Sequence, residues 1–224
     1  MKTWIFILTV NMSGCALIPP SPPPPASPAT HALWQTHQAQ LRTLTAWRLN
    51  GRIAITTEQD NWTAHVHWQQ HEQEYRLRFN APLGQGALLL EGNEQQVMMH
   101  TAEQKTYIAE NPDALILKTL NLAIPITGLH FWIRGLPKPK QLPSAYRLYE
   151  HGYLYSLQQD GWHIEYSRYI PNNTIELPSK IFLDNGQFKV KIVISSWDIR
   201  ESQLSKPLQV WNKRAVPIQG GDIN

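Results

Sequence analysis

Asn80-Ala81-Pro82-Leu83-Gly84-Gln85-Gly86 separates two stretches whose periodicity sets the fold. Before it, Tyr75, Leu77 and Phe79 alternate with Arg76, Arg78 and Asn80; after it runs Ala87-Leu88-Leu89-Leu90. A period of two, a Pro- and Gly-containing connection and then an apolar run predict an antiparallel hairpin. Pro82 fixes its own φ and biases Ala81 to extended geometry, while Gly84 and Gly86 permit angles that side chains forbid. Leu83 falls at or near the tip, where polar residues are the rule because the tip faces water. Two readings stand at this point: Leu83 folds back onto the core, or it points outward to touch a membrane or a lipid.

Working outward, the same period recurs. Trp47, Leu49, Ile53 and Ile55 alternate with Arg48, Asn50, Arg52 and Thr56, with Gly51 interrupting the stripe. Trp62, Ala64, Val66 and Trp68 alternate with Thr63, His65, His67 and Gln69. These are strands with one dry and one wet face. Further strands are expected near Gln96–His100, Lys105–Ile108, Ala145–His151, Leu154–Gln159, Trp162–Tyr169, Lys180–Leu183 and Phe188–Trp197, with Asp160-Gly161 and Asn185-Gly186 as hairpin turns. His65 and His67 share a face at a spacing two metal ligands could use, but no third ligand is tied to them by a known motif, so they are read as cover on a wet face and no metal is expected.

Helical spacing appears in two places. Leu33, Trp34, His37, Leu41 and Leu44 predict an amphipathic helix from about His31 to Leu44. Asn111-Pro112-Asp113 is a helix start, with a capping Asn, Pro at the first helical position and an acid in the first turn. Ala114 to Leu122 is apolar nearly all round, which predicts cover on more than one side; Pro125 ends it, and a short helix over Thr127–Arg134 follows. About eleven alternating strands interrupted by an apolar helical section imply one curved antiparallel sheet with the helices against its concave face.

The chain of 224 residues is long enough for one domain with a sizeable core. A net charge of +3 without a dense Lys/Arg run, and no nucleic-acid motif, exclude a nucleic-acid partner. No Gly-Lys-Ser/Thr phosphate loop and no Gly-x-Ser-x-Gly nucleophile turn occurs, so neither an enzyme nor a cofactor is expected. Nine Trp residues mean a large apolar area, some of it reserved for a ligand.

The single cysteine, Cys15, excludes an internal disulfide and a thiolate zinc site. Lys2 precedes the apolar run Trp4 to Val10, which is too short for a lasting span, and Met12-Ser13-Gly14-Cys15 follows. That arrangement resembles a bacterial lipobox, with Met12 where Leu is usual. It implies a signal peptide over 1–14 and a Cys15 that carries the lipid; Ala16, in place of Asp, fits the outer membrane. Pro19 to Pro28 is mostly proline with Ser and Ala, an extended tether. The expected organisation is 15–30 acylated cysteine and tether, 31–197 folded domain, and 198–224 flexible tail.

The order and spacing of Trp34-x-x-His37, Gly51-Arg52, Trp68-Gln69, Tyr75-Arg76-Leu77, Pro82-Leu83-Gly84, Pro125, Trp132-Ile133-x-Gly135-Leu136-Pro137, Gln159-x-Gly161-Trp162, Leu177-Pro178 and Trp197 resemble the LolB family of outer-membrane lipoprotein receptors. The resemblance implies an incomplete, unclosed antiparallel β-barrel with an α-helical lid, monomeric and anchored by lipid to the periplasmic face of the outer membrane. It implies receipt of triacylated lipoproteins from a LolA-type periplasmic carrier and their release into outer-membrane lipid. In that family a hydrophobic residue on a protruding loop is needed for insertion; it maps onto Leu83, between Pro82 and Gly84, and favours the outward reading. The acyl-chain cavity is then expected to be lined by Trp47, Leu49, Ile53, Trp62, Val66, Trp68, Leu77, Phe79, Leu88 and Leu90 from strands, and by Leu115, Leu117, Leu120, Leu129, Trp132 and Ile133 from helices. The alternative is a tethered glycan-binding or assembly scaffold, which requires Trp exposed on the convex surface.

Overall fold

In the computed structural model, residues 22–81, 86–172 and 175–199 are described. Cys15, the loop residues Pro82, Leu83 and Gly84, and the tail from residue 200 lie outside them. Eleven strands form one antiparallel sheet in the order β6-β5-β4-β3-β2-β1-β11-β10-β9-β8-β7, so the sheet is open, with β6 and β7 at its edges.

The first half comprises β1 (Ala46–Thr56), β2 (Asn61–His71), β3 (Glu74–Asn80), β4 (Ala87–Gly92), β5 (Val97–His100) and β6 (Thr106–Ala109). The second comprises β7 (Ala145–Leu148), β8 (Leu154–Gln159), β9 (Trp162–Asn172), β10 (Ile175–Asp184) and β11 (Lys189–Asp198). The halves meet where β1 pairs with β11. A bulge at Asn50/Gly51 lets β1 shift register there. A Cβ on Gly51 would stand 2.5 Å from the Val193 carbonyl oxygen, so only glycine lets the two strands close. Asp160 and Gly161 both have positive φ (53° and 77°), the mirror-image turn that matches the twist of a two-residue hairpin.

Helix α1 (Pro28–Arg42) starts about three residues earlier than periodicity predicts. Ser27 caps it, its Oγ accepting from the Thr30 N–H at 3.1 Å, and Pro28 takes the first helical position, so the end of the proline tract belongs to the helix. It buries Thr30, Trp34, His37 and Leu41. Helix α2 (Pro112–Leu120) is capped by Asn111, whose side chain accepts from the Asp113 and Ala114 N–H groups at 2.8 and 3.2 Å. Helix α3 (Ile126–Trp132) is tied to it by the Asp113 carboxylate, which accepts from both the Thr127 N–H and its hydroxyl.

The expectation that α2 is covered on more than one side is corrected. It buries Leu115 and Ile116, whereas Leu117 is 49% exposed and Leu120 38%. At 100° per residue, Leu117 lies about 150° from the middle of the Leu115–Ile116 face and Leu120 about 90° from it, so a short helix cannot turn all four to the sheet.

Candidate functional site

The inner face of the sheet is read directly from the register. Trp197, Leu49, Trp68, Leu77, Leu90 and Met99 stand opposite one another across β11, β1, β2, β3, β4 and β5. Gly51, Val66, Phe79 and Leu88 form the next row toward the β3–β4 connection. Beyond them come Ile53 with Ala64, then Ile55 with Trp62. Leu115, Ile116, Ile126, Leu129, Trp132 and Ile133 join the same buried cluster from the helical side.

This interior is closed. Trp47, Leu77, Leu90 and Trp132 are 0% exposed, so no water-sized sphere touches them. Trp47 packs with Trp68 and Trp197 at ring separations of 5.3 and 5.5 Å. Of the side chains named for an acyl-chain cavity, Trp47, Leu49, Ile53, Val66, Trp68, Leu77, Phe79, Leu90, Leu115, Leu129, Trp132 and Ile133 are brought together as packed core. Trp62 and Leu88 are half-buried against that core, and Leu117 and Leu120 face outward. A depression of about 550 Å³ is lined by the exposed outer-face residues Arg52, Thr63, His65, Lys191 and Val193 together with Ile53, Ala54 and Ala64. No cluster of three or more His, Cys, Asp or Glu side chains that could hold a metal occurs among the described residues, His65 and His67 included.

One end of the interior is polar, which periodicity does not reveal. Row-mates Trp47, Gln70, Tyr75 and Gly92 cross β1 to β4 at the rim opposite the β3–β4 connection. Gln70 Oε1 accepts from Trp68 Nε1 at 3.2 Å and lies 3.2 Å from His130 Nδ1; Gln70 Nε2 donates to the Glu72 carbonyl at 2.8 Å. A proton on His130 Nδ1 completes this pattern and leaves Nε2 to accept from Arg134 Nη2 at 3.1 Å. Arg134 also donates from Nη1 to the Leu44 carbonyl (3.0 Å) and from Nε to the His130 carbonyl (3.2 Å), with its guanidinium 5.9 Å over Trp47. This cation is 5% exposed, and no ion pair neutralises it among the described residues. Burial lowers its pKa to about 10, so it stays charged at neutral pH.

On the other flank, Gln159 is 3% exposed and fully used. Its Oε1 accepts from Trp132 Nε1 and from the Lys138 N–H, both at 2.8 Å, and its Nε2 donates to the Lys138 and Gln141 carbonyls. Tyr166 donates its hydroxyl to the Trp132 carbonyl at 2.9 Å. Helix α3 is therefore pinned at both sides by side-chain hydrogen bonds.

Two histidines make the packing pH-dependent. Burial lowers His37 from 6.5 to about 4, and burial together with the Arg134 charge lowers His130 to about 3. Both are neutral when folded and take up protons on unfolding below pH 6.5. Stability is thus full above that value and falls as pH drops toward 4, by up to about 1.4 kcal/mol per pH unit for each histidine. Melting temperature should drop between pH 7 and pH 5, and a His37→Gln/His130→Gln variant should show a smaller drop.

The sequence model of the family described as outer membrane lipoprotein LolB matches residues 45–197, from the start of β1 to the end of β11. The chain belongs to the LolB family. Relatives named outer-membrane lipoprotein LolB include one from Ectopseudomonas mendocina, 34% identical over 88% of this chain and 96% of the relative. Another, from Pseudomonas aeruginosa, is 38% identical over 75% of this chain and 82% of the relative. A LolA superfamily protein from Nitrosomonas europaea is similar in structure at a TM-score of 0.47, with 7% identity, over 79% of this chain and 97% of that one. As a LolB-family member, the chain is an outer-membrane lipoprotein with a role in lipoprotein localisation and not an enzyme. No described helix is long and apolar enough to cross a membrane. The feature required by a glycan scaffold does not occur among the described residues: Trp34, Trp47, Trp68, Trp132, Trp162 and Trp197 are buried, and Trp62 is half-buried.

Proposed function

We propose that this LolB-family protein accepts mature triacylated lipoproteins from a LolA-type soluble carrier, holds their acyl chains between the sheet and helices α2 and α3, and releases them into the inner leaflet of the outer membrane. The observation that carries this reading is the continuous apolar inner face, from Trp197 through Leu49, Trp68 and Leu77 to Leu90, roofed by short helices. Acyl chains of tens of methylenes, at ~0.8 kcal/mol each, cannot be exposed to water in transit. A carrier must keep them covered throughout, and a Trp-, Leu- and Met-rich lining is non-directional enough to suit cargoes that share only their lipids.

Because the interior is filled in this structure, loading requires α2 and α3 to move off the sheet and the chains to take their place. Helix α2 is suited to that exchange: Leu117 and Leu120 already lie outside and can turn against an incoming chain. Cys15 supplies the lipid anchor, and Leu83 enters the bilayer during release. The sequence carries no Gly-Lys-Ser/Thr phosphate loop, and transfer runs downhill, each acceptor holding the chains better than the donor.

Displacement of a fluorescent fatty acid tests the reading. The full chain carrying Cys15→Ala should bind the probe with its emission shifted to the blue, and acylated cargo peptide should displace it. A chain that leaves the probe in water at micromolar protein contradicts the carrier function.

A further inference from the structure

Two hydrogen-bonding groups on the polar row have no partner. Trp47 Nε1 and the Tyr75 hydroxyl are sealed from solvent, and neither has a hydrogen-bond partner among the described residues. Trp47 is 0% exposed and Tyr75 9%. An orphan of this kind destabilises the fold, and water cannot relieve it at atoms that water does not reach. The two lie on the same row, on strands β1 and β3 either side of Gln70, so their backbones are about 10 Å apart. The unneutralised Arg134 guanidinium stands over the same row. Indole and guanidinium only donate, and burial with the Asp113 carboxylate nearby holds the Tyr75 hydroxyl in its protonated form. A buried set made of donors calls for a ligand made of acceptors.

We propose that the Trp47–Gln70–Tyr75 row is the seat for the carbonyl groups at the head of an acylated glycerol, with Trp47 Nε1 and the Tyr75 hydroxyl donating to ester or amide oxygens. The proposal rests on the acyl-carrier reading and adds an orientation to it. From this row the inner face becomes wholly apolar, through Leu49, Trp68 and Leu77 to Val66, Phe79 and Leu88, and ends where Ala81 and Gly86 flank the β3–β4 connection. Cargo is therefore held head at the polar rim and tails toward that connection, so the hydrocarbon ends leave first.

The test compares two neutral probes with the same chains: 1,2-dioleoylglycerol, with two ester carbonyls, and its 1,2-dioleyl diether, with none. Both are titrated against the full chain carrying Cys15→Ala. The chain is expected to prefer the diester about tenfold. Tyr75→Phe should cut that ratio about threefold or more, leave diether affinity unchanged, and melt at or above the parent temperature because an unpaired buried hydroxyl is gone. Equal, tight binding of both probes by the parent overturns the seat and leaves the carrier reading standing. Failure to bind either probe overturns the carrier reading itself. A diester preference that Tyr75→Phe does not change overturns the seat as assigned.

Discussion

Gln159→Leu should cost about 3–5 kcal/mol of unfolding free energy, read as a lower urea midpoint. Leucine keeps the approximate volume and brings the apolar character that a buried site accepts. It strips partners from the Trp132 indole N–H, the Lys138 N–H and carbonyl, and the Gln141 carbonyl at once. Each buried group left unsatisfied costs about 1–3 kcal/mol, and some of this is recovered as the segment after α3 relaxes toward water. Gln158→Leu, one residue away on the exposed side of β8, should stay within about 0.5 kcal/mol of the parent. If the two substitutions cost the same, Gln159 is not what holds α3 to β8.

Leu83→Glu should leave uptake of acylated cargo intact and slow its release to liposomes at least tenfold, roughly the loss of the 1.5–3 kcal/mol that a buried leucine gains. The charge adds to the loss, because a carboxylate resists entry into hydrocarbon. Uptake should be spared because the substitution leaves the inner-face rows, Trp197 through Leu49, Trp68 and Leu77 to Leu90, unchanged. The informative experiment preloads the protein with labelled lipoprotein, then measures its appearance in pelleted vesicles. Delivery at the parent rate would mean that the loop does not touch the bilayer.

Strands were legible wherever one face is wet. Lys189 and Lys191 alternating with Val190 and Ile192 mark β11, and the structure buries the side that the pattern indicates. The turn at Asp160-Gly161 was readable because positive φ at both positions restricts the residues allowed. Helix α2 was the weak point. Its composition is apolar on all sides, so hydropathy could not tell inward Leu115 from outward Leu117; that depends on where β6 and α3 lie. The state of the interior was equally hidden, because the same Trp and Leu side chains line a void or fill it. The donors at the polar rim escaped notice for another reason. Gln70 falls on the dry face of β2, but only the register of β1, β2 and β3 sets it between Trp47 and Tyr75. His130 and Arg134 come to that rim from a different part of the chain.

The sheet ends at β6 and β7, and no ladder bond joins them. A ring of strands could swell only by tearing backbone pairs along the whole length of a strand. Here the girth can grow with every interstrand bond kept, because what spans the gap is side chains and helices. If the protein carries acyl chains as proposed, guests with bulkier or more numerous hydrocarbon tails would then be met by a wider mouth instead of a refusal, which would give one protein the latitude to serve many.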